Sequence, residues 1–302
     1  MQLHQLRYLR AVIRTGSVTA AAQSEHVAQP SISKQLRLLE HELATPLFHR
    51  VGRRVVPTEA ALTLADCADR VFDDLAATAS LIADPGGAIG GTLRLCATET
   101  LTDNLLPAAL SVIRAESPAA RIRVEMLGTD DAIARVVADE FDLALLVLPL
   151  RDSRLEVHSL RTEPILLAVA PSHPWAASPR AAVPIEAALT ERGLLFSMPG
   201  HGLRSQVEEA ANERRIALEA RIELRSVQAL LAMVATGGGI AFVPAMSLAG
   251  RNDVVGLPLE PPLDREVGWV RRPGRHLPVI GLRLLALLGE AQAATSNVHA
   301  TD

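Results

Sequence analysis

Ser31, Ser33, Lys34 and Arg37 lie within seven residues, and with Gln29 they gather amide, hydroxyl, ammonium and guanidinium groups along one short segment. Through the same stretch Ile32, Leu36, Leu39 and Leu43 recur at i, i+4, i+7 and i+11, an apolar stripe at the helical period. Pro30 suits the first turn of such a helix, where its missing N–H is not needed. A helix divided in this way can be held by its domain along one face. The other face is then free to meet base edges and phosphates. An ordinary amphipathic helix with a solvated polar face has the same pattern, so the neighbouring elements decide between the two.

Before this helix, residues around Thr19 to Ser24 read as a short Ala-rich helix (Ala20, Ala21, Ala22) against which another can pack closely, and residues 25–28 make the turn. Leu3, Leu6, Leu9, Val12 and Ile13 predict a first helix that closes a three-helix core. After it, PLFHRVGRRVVPTEA reads as two β-type runs about Gly52-Arg53-Arg54, a basic wing. Ser31 adds a hydroxyl to the DNA-facing set, and Arg50, Arg53 and Arg54 would reach phosphates beside the groove. Residues 1–58 hold eight cations (Arg7, Arg10, Arg14, Lys34, Arg37, Arg50, Arg53, Arg54) against Glu25, Glu40 and Glu42, a balance of +5. The whole chain is −4, which leaves −9 for the rest. That asymmetry, hidden in the overall charge, places counterion-releasing cations where a double-stranded DNA partner is expected.

From Thr58 to about Ala83 no Gly or Pro interrupts the chain, and Leu64, Ala68, Val71, Leu75, Thr78 and Ile82 keep a 3.5-residue spacing. This predicts a linker helix whose seam either pairs with a second copy or packs on its own domain; a helix joining two domains favours the first. A homodimer would present two recognition helices to a near-palindromic site. Asp84-Pro85-Gly86-Gly87 and Gly90-Gly91 mark a hinge.

Beyond the hinge, β-type runs at 92–97, 121–127, 142–148, 164–170, 194–197, 221–224, 240–243 and 266–270 alternate with helical patterns near 103–115, 129–138, 204–215, 226–236 and 279–290. The alternation predicts an α/β domain with mostly parallel sheet. Ligands of open α/β sheets sit beyond the carboxyl ends of strands, where helix N-termini offer free N–H groups. Four such ends form the expected effector site: Thr98, Glu99 and Thr100; Gly128 and Thr129; Ser197 with His201 and Arg204; Ser226 and Val227 after Arg225. Thr98 and Thr100 could equally be helix caps, Arg204 could pair with Glu208 four residues on, and His201 could be a loop histidine without a role.

No run reaches 18 apolar residues and no signal sequence opens the chain, so a cytoplasmic protein without a membrane partner is expected. Cys67 and Cys96 stand apart, and the histidines have no metal spacing. No phosphate loop or nucleophile–base arrangement is visible; Gly237-Gly238-Gly239 follows a helix and reads as a turn. Neither an enzyme nor a cofactor is expected. A solute-binding module and a small-molecule transferase or dehydratase sharing a two-lobed fold are the rival readings.

The stretches HQLRYLRAVIRTGSVTAAA and QPSISKQLRLLEHELATPLFHRVGRRVVPTEA resemble the LysR-type transcriptional regulators, and the resemblance continues to the end of the chain. It implies an N-terminal all-α winged helix-turn-helix with a linker helix, and a C-terminal α/β two-lobed, periplasmic-binding-protein-like effector domain. The corresponding division is 1–58, 59–90 and 91–302. Lobe one would comprise 91–163 and 267–302, lobe two 164–266, with a small-molecule effector between them. The resemblance also implies that Gln29, Pro30, Ser33, Lys34 and Arg37 face DNA, that Arg53 or Arg54 holds phosphates, and that dimers assemble into a homotetramer. Ala61 stands where the family usually has Gly, a change that should stiffen the helix start. Lys34 in place of Arg argues against a bidentate guanine contact there. Near Glu99 the family usually carries a small hydroxyl residue. A carboxylate there would repel an anionic effector unless Arg204 or Arg225 neutralised it, so Glu99 should meet a cationic or amphoteric effector or be locked in an ion pair. A peroxide-sensing member would need a cysteine pair in the effector domain, where this chain has only Cys96.

Overall fold

A computed structural model of the chain describes residues 1–51, 54–83, 91–178, 181–198, 202–219, 222–275 and 277–298. The chain divides into two compact units, residues 1–85 and 86–302. The first is built on α1 (Leu3–Thr15), α2 (Val18–Ser24) and α3 (Gln29–Leu43). Gly16, in the left-handed conformation, ends α1 by donating its N–H to the Val12 carbonyl, and the Ser17 hydroxyl then accepts from the Ala20 N–H to start α2. Pro30 occupies the first turn of α3.

Ile32, Leu36 and Leu39 are buried against Leu9, Val12, Ala21, Ala22 and Leu47. Full burial of side chains of this size contributes about 1.5–3 kcal/mol each. Leu43, expected in the same stripe, is instead 40% exposed, and Leu3 is 49% exposed; both sit at helix ends, where the neighbouring helix no longer covers the stripe. Strands β1 (Phe48–Val51) and β2 (Arg54–Pro57) pair antiparallel, and α4 (Glu59–Ala83) follows. Ala61 and Ala65 join the three-helix core and Leu64 packs against it. The first half of the expected dimer seam is thus used within the unit, whereas Leu75 is 49% exposed. The Ile82 side chain lies outside the described residues.

The second unit runs β3 (Thr92–Ala97), α5 (Glu99–Asn104), α6 (Leu106–Glu116), β4 (Arg121–Met126), α7 (Thr129–Val137), β5 (Leu143–Leu148) and β6 (Glu156–Val169). It continues through β7 (Val183–Pro184), α8 (Ile185–Leu189), β8 (Leu194–Ser197), α9 (Gly202–Glu213), β9 (Ile222–Leu224) and α10 (Val227–Ala235). The last elements are β10 (Ile240–Pro244), a 3-10 turn at Ala245–Leu248, β11 (Val255–Leu257), β12 (Leu259–Glu260), β13 (Leu263–Arg271) and α11 (Val279–Val298). The helix expected at 103–115 is two helices, because Pro107 in the first turn of α6 has no N–H to continue α5.

The strand order is β4-β3-β5-β13-β6-β10-β8-β9. The sheet is parallel within each lobe: β4-β3-β5 in lobe one and β10-β8-β9 in lobe two. The crossover strands β6 and β13 are antiparallel to each other and to their flanking neighbours. This differs from a mostly parallel sheet for a simple reason: the chain leaves lobe one along β6 and returns along β13, in opposite directions. Lobe one has cores on both sheet faces, one beneath α6 and α11 and one beneath α7. Lobe two has its own pair, beneath α8 and α9 and beneath α10.

After α10 the chain must turn sharply into β10. Gly239 does this at φ +151°, and a Cβ there would lie 2.2 Å from the Gly193 carbonyl oxygen. Gly239→Ala therefore meets both backbone strain and a clash with main chain. We expect a loss of about 2 kcal/mol or more in urea unfolding of the purified chain.

Candidate functional site

On α3 the polar groups stand as the spacing requires. Gln29, Pro30, Ser31, Lys34 and Arg37 are exposed and Ser33 is half-buried, while the opposite face is core. The Gln29 side-chain amide donates to Ser33 Oγ at 2.9 Å, and Arg37 Nε donates to the Ser33 carbonyl at 3.1 Å. These local bonds order the polar side chains without covering them. Gln35, on the same helix, is turned toward α1, where its Oε1 accepts from Gln5 Nε2 at 3.2 Å. Arg50 and Arg54 belong to the paired strands of the wing, with Val51 opposite Arg54; Arg53 and Gly52 lie outside the described residues, as do the side chains of Arg50 and Arg54.

In the second unit, Thr98, Glu99 and Thr100 begin α5 at the carboxyl end of β3, and Ser226 and Val227 begin α10 beyond β9. The two helix starts meet. Glu99 Oε1 accepts from Ser226 Oγ at 2.6 Å and from the Val227 N–H at 3.0 Å, and its Oε2 lies 3.2 Å from the same N–H. The expected ion pair with Arg204 or Arg225 is not formed. Arg204 serves lobe two itself: it binds Glu208 at 2.6 Å, Glu223 at 2.7 Å and the Ser197 carbonyl at 2.8 Å, with its guanidinium over the Phe196 ring. Arg225 is exposed.

Thr98 holds the N-cap position of α5, yet its hydroxyl makes no cap bond and is buried without a partner among the described residues. Thr100 is not a cap either; its Oγ1 accepts from a terminal nitrogen of Arg265 at 3.1 Å. Gly128 precedes the first turn of α7, where Thr129 is half-buried. Ser197 is buried at the end of β8. His201 lies outside the described residues. A further approach between lobes occurs at Gly202 on α9, where a Cβ would stand 3.1 Å from Val147 Cβ on β5.

Sequence reasoning missed the group on which α5 rests. Arg265 on β13 and Glu163 on β6 are direct cross-strand partners. Both are buried, and the guanidinium approaches the Glu163 carboxylate at 2.6 and 2.8 Å. The other carboxylate oxygen accepts from the Met246 N–H at 3.1 Å. Burial lowers the Arg265 pKa from its ordinary value, and Glu163 opposes that shift. A signal existed in the sequence: Arg265 stands two residues before inward-facing Val267, and Glu163 two before Ile165, so strand alternation turns both inward.

The family follows from the comparisons. Residues 3–62 match the model for bacterial regulatory helix-turn-helix proteins of the lysR family, and residues 86–293 match the LysR substrate binding domain. The chain belongs to the LysR-type transcriptional regulators. Its relatives include the DNA-binding transcriptional dual regulator OxyR of Escherichia coli K12, 31% identical over 92% of this chain and 91% of that one. Another is the HTH-type transcriptional activator CmpR of a Synechocystis strain, 29% identical over 85% and 86%. A full-length OxyR variant from Pseudomonas aeruginosa superposes with a TM-score of 0.66 at 24% identity, covering 96% of this chain and 98% of that one. The two-lobed effector domain of this LysR-type regulator is thus the family's own.

Glu163→Ala would leave the Arg265 guanidinium buried with no counter-charge. We expect it to cost about 3–5 kcal/mol of stability, read as a lowered urea midpoint.

Proposed function

We propose that this LysR-type regulator reads a near-palindromic operator with the exposed face of α3 and responds to a non-covalently bound small molecule in the cleft between its lobes. The observation that carries the DNA reading is the division of α3. Gln29, Ser31, Lys34 and Arg37 are exposed, while Ile32, Leu36 and Leu39 are buried against the rest of the unit. Gln29, Pro30, Ser31, Ser33, Lys34 and Arg37 would meet the groove, and Arg50, Arg53 and Arg54 the flanking phosphates. The exposed seam residue Leu75 supports pairing of two α4 helices, and two such dimers would form the tetramer. The working division is a DNA-binding domain over 1–58, a dimerising linker over 59–90 and an effector domain over 91–302. No described helix is long and apolar enough to cross a membrane, and we place the protein in the cytoplasm with its DNA. We assign it no catalytic role.

For the effector, the candidate lining is Thr98, Glu99, Thr100, Gly128, Thr129, Ser197, His201, Arg204, Ser226 and Val227. Several relatives are named hydrogen peroxide-inducible genes activators, but the thiols here do not support peroxide chemistry. Cys96 is fully buried and its thiol is pushed up to about 12 by burial. Thiolate is the reactive form, and burial disfavours it here. Cys67 lies on α4, in the other unit. A ligand held by hydrogen bonds at helix starts, favouring one arrangement of the assembly over another, fits the site better.

The test is retardation of the DNA flanking the chain's own gene. Lys34→Ala and Arg37→Ala should each weaken specific binding by about 1–3 kcal/mol. Arg53→Ala should weaken operator and random DNA alike and flatten the salt dependence. Operator affinity unchanged in all three would show that another surface binds DNA.

A further inference from the structure

The carboxylate of Glu99 stands where a free anion would be expected. Glu99 belongs to lobe one, as the first residue of α5, while Ser226 and Val227 start α10 in lobe two. The first N–H groups of a nine-residue helix such as α10 have no partner within the helix. Ser226 Oγ accepts from one of them, the Ala229 N–H, and donates its own hydrogen to Glu99. The Val227 N–H is satisfied by Glu99 alone among the described residues. An ionised carboxylate taking an O–H and an N–H at the positive end of a helix makes charge-assisted bonds.

Among the described residues the surrounding charges leave Glu99 no other partner. Among the described residues no cation lies within ion-pair distance of it; Arg204 is committed to Glu208 and Glu223, and Arg265 to Glu163. Asp103, one turn along α5, is a like charge whose carboxyl is raised by burial and further by Glu99. The lobes also approach at Gly202, where a Cβ would stand 3.1 Å from Val147 Cβ.

We propose that Glu99 is a built-in clasp between the lobes, a tethered carboxylate that occupies the Ser226–Val227 seat and holds the cleft shut with no effector bound. This deepens, and rests on, the reading of the cleft as the effector site. The seat takes a carboxylate, and the chain supplies its own. A small monocarboxylate therefore binds there only when Glu99 is displaced or removed, and the native protein is insensitive to such anions at this point.

Hydrogen exchange of the full-length chain, resolved over residues 226–230, tests the clasp with acetate as probe and chloride holding ionic strength constant. In Glu99→Ser the Val227 amide should exchange at least about tenfold faster than in the native chain. Acetate should slow it again, saturably, in the variant and leave the native rate unchanged. Equal rates in the two proteins without acetate would overturn the clasp. Faster exchange that acetate does not reverse, or an acetate effect of equal size on both, would overturn the carboxylate seat. If Glu99→Ser does not fold, Ser226→Ala removes the O–H donor to the same carboxylate from lobe two and leaves it held by the Val227 N–H; it should speed Val227 exchange, and an unchanged rate would overturn the proposal. Operator retardation measured alongside keeps the readings apart: loss of DNA binding by the native chain would strike the regulator assignment and leave the exchange result standing.

Discussion

The buried pair between Arg265 and Glu163 is the contact on which the effector unit is hung. It joins the two strands that carry the chain between lobes, at the register position where those strands face each other. Desolvating two charges costs several kcal/mol each, and their attraction in the interior roughly repays it. The pair is therefore better understood as a device for placement than as a source of stability. Through Arg265 it fixes Thr100 and with it the start of α5; through Glu163 it fixes Met246 and the turn after β10. Lobe one's helix start and lobe two's turn are thereby referred to one point at the crossover.

The start of α5 is placed from that point. Thr100 is spent on the anchor, so Glu99, its neighbour, is the residue at the start of α5 that reaches across to α10. Arg204, which might have neutralised it, is tied to the sheet edge of its own lobe by Glu223 and the Ser197 carbonyl. A ligand can shift the lobes only by what it gains in one arrangement over the other. Here that gain is measured against hydrogen bonds the chain already makes. The same economy holds in the first unit, where Gln29 and Arg37 bond to Ser33 within the helix and stay accessible.

Much of this was legible in the sequence, for identifiable reasons. The helix-turn-helix was readable because a 3.6-residue stripe, a Pro in the first turn and a basic wing occur in one contiguous stretch. Strands 92–97 and 194–197 were readable to the residue because they are short apolar runs ending at polar helix starts. The first half of β6 was missed: EVHSLRTE is polar, and its strand character comes from pairing with β13, a partner more than 90 residues away. The meeting of Glu99 with Ser226 was foreseeable as two separate strand ends and not as a contact, since only the crossover geometry brings them together. Arg265 escaped notice because charge in a strand usually marks a solvated face, and here alternation turned it inward.

Lys34 is the one lysine in the chain, which makes the proposed recognition face of α3 directly measurable. Acylation of the folded protein by an amine-reactive ester can modify only Lys34 and the terminal amine, and mass spectrometry separates the two. Lys34 should be readily modified in the free protein and strongly protected by operator DNA, with the terminal amine as internal reference. Lys34 that resists acylation in the absence of DNA, or that reacts equally when the operator is bound, would contradict the proposed recognition face.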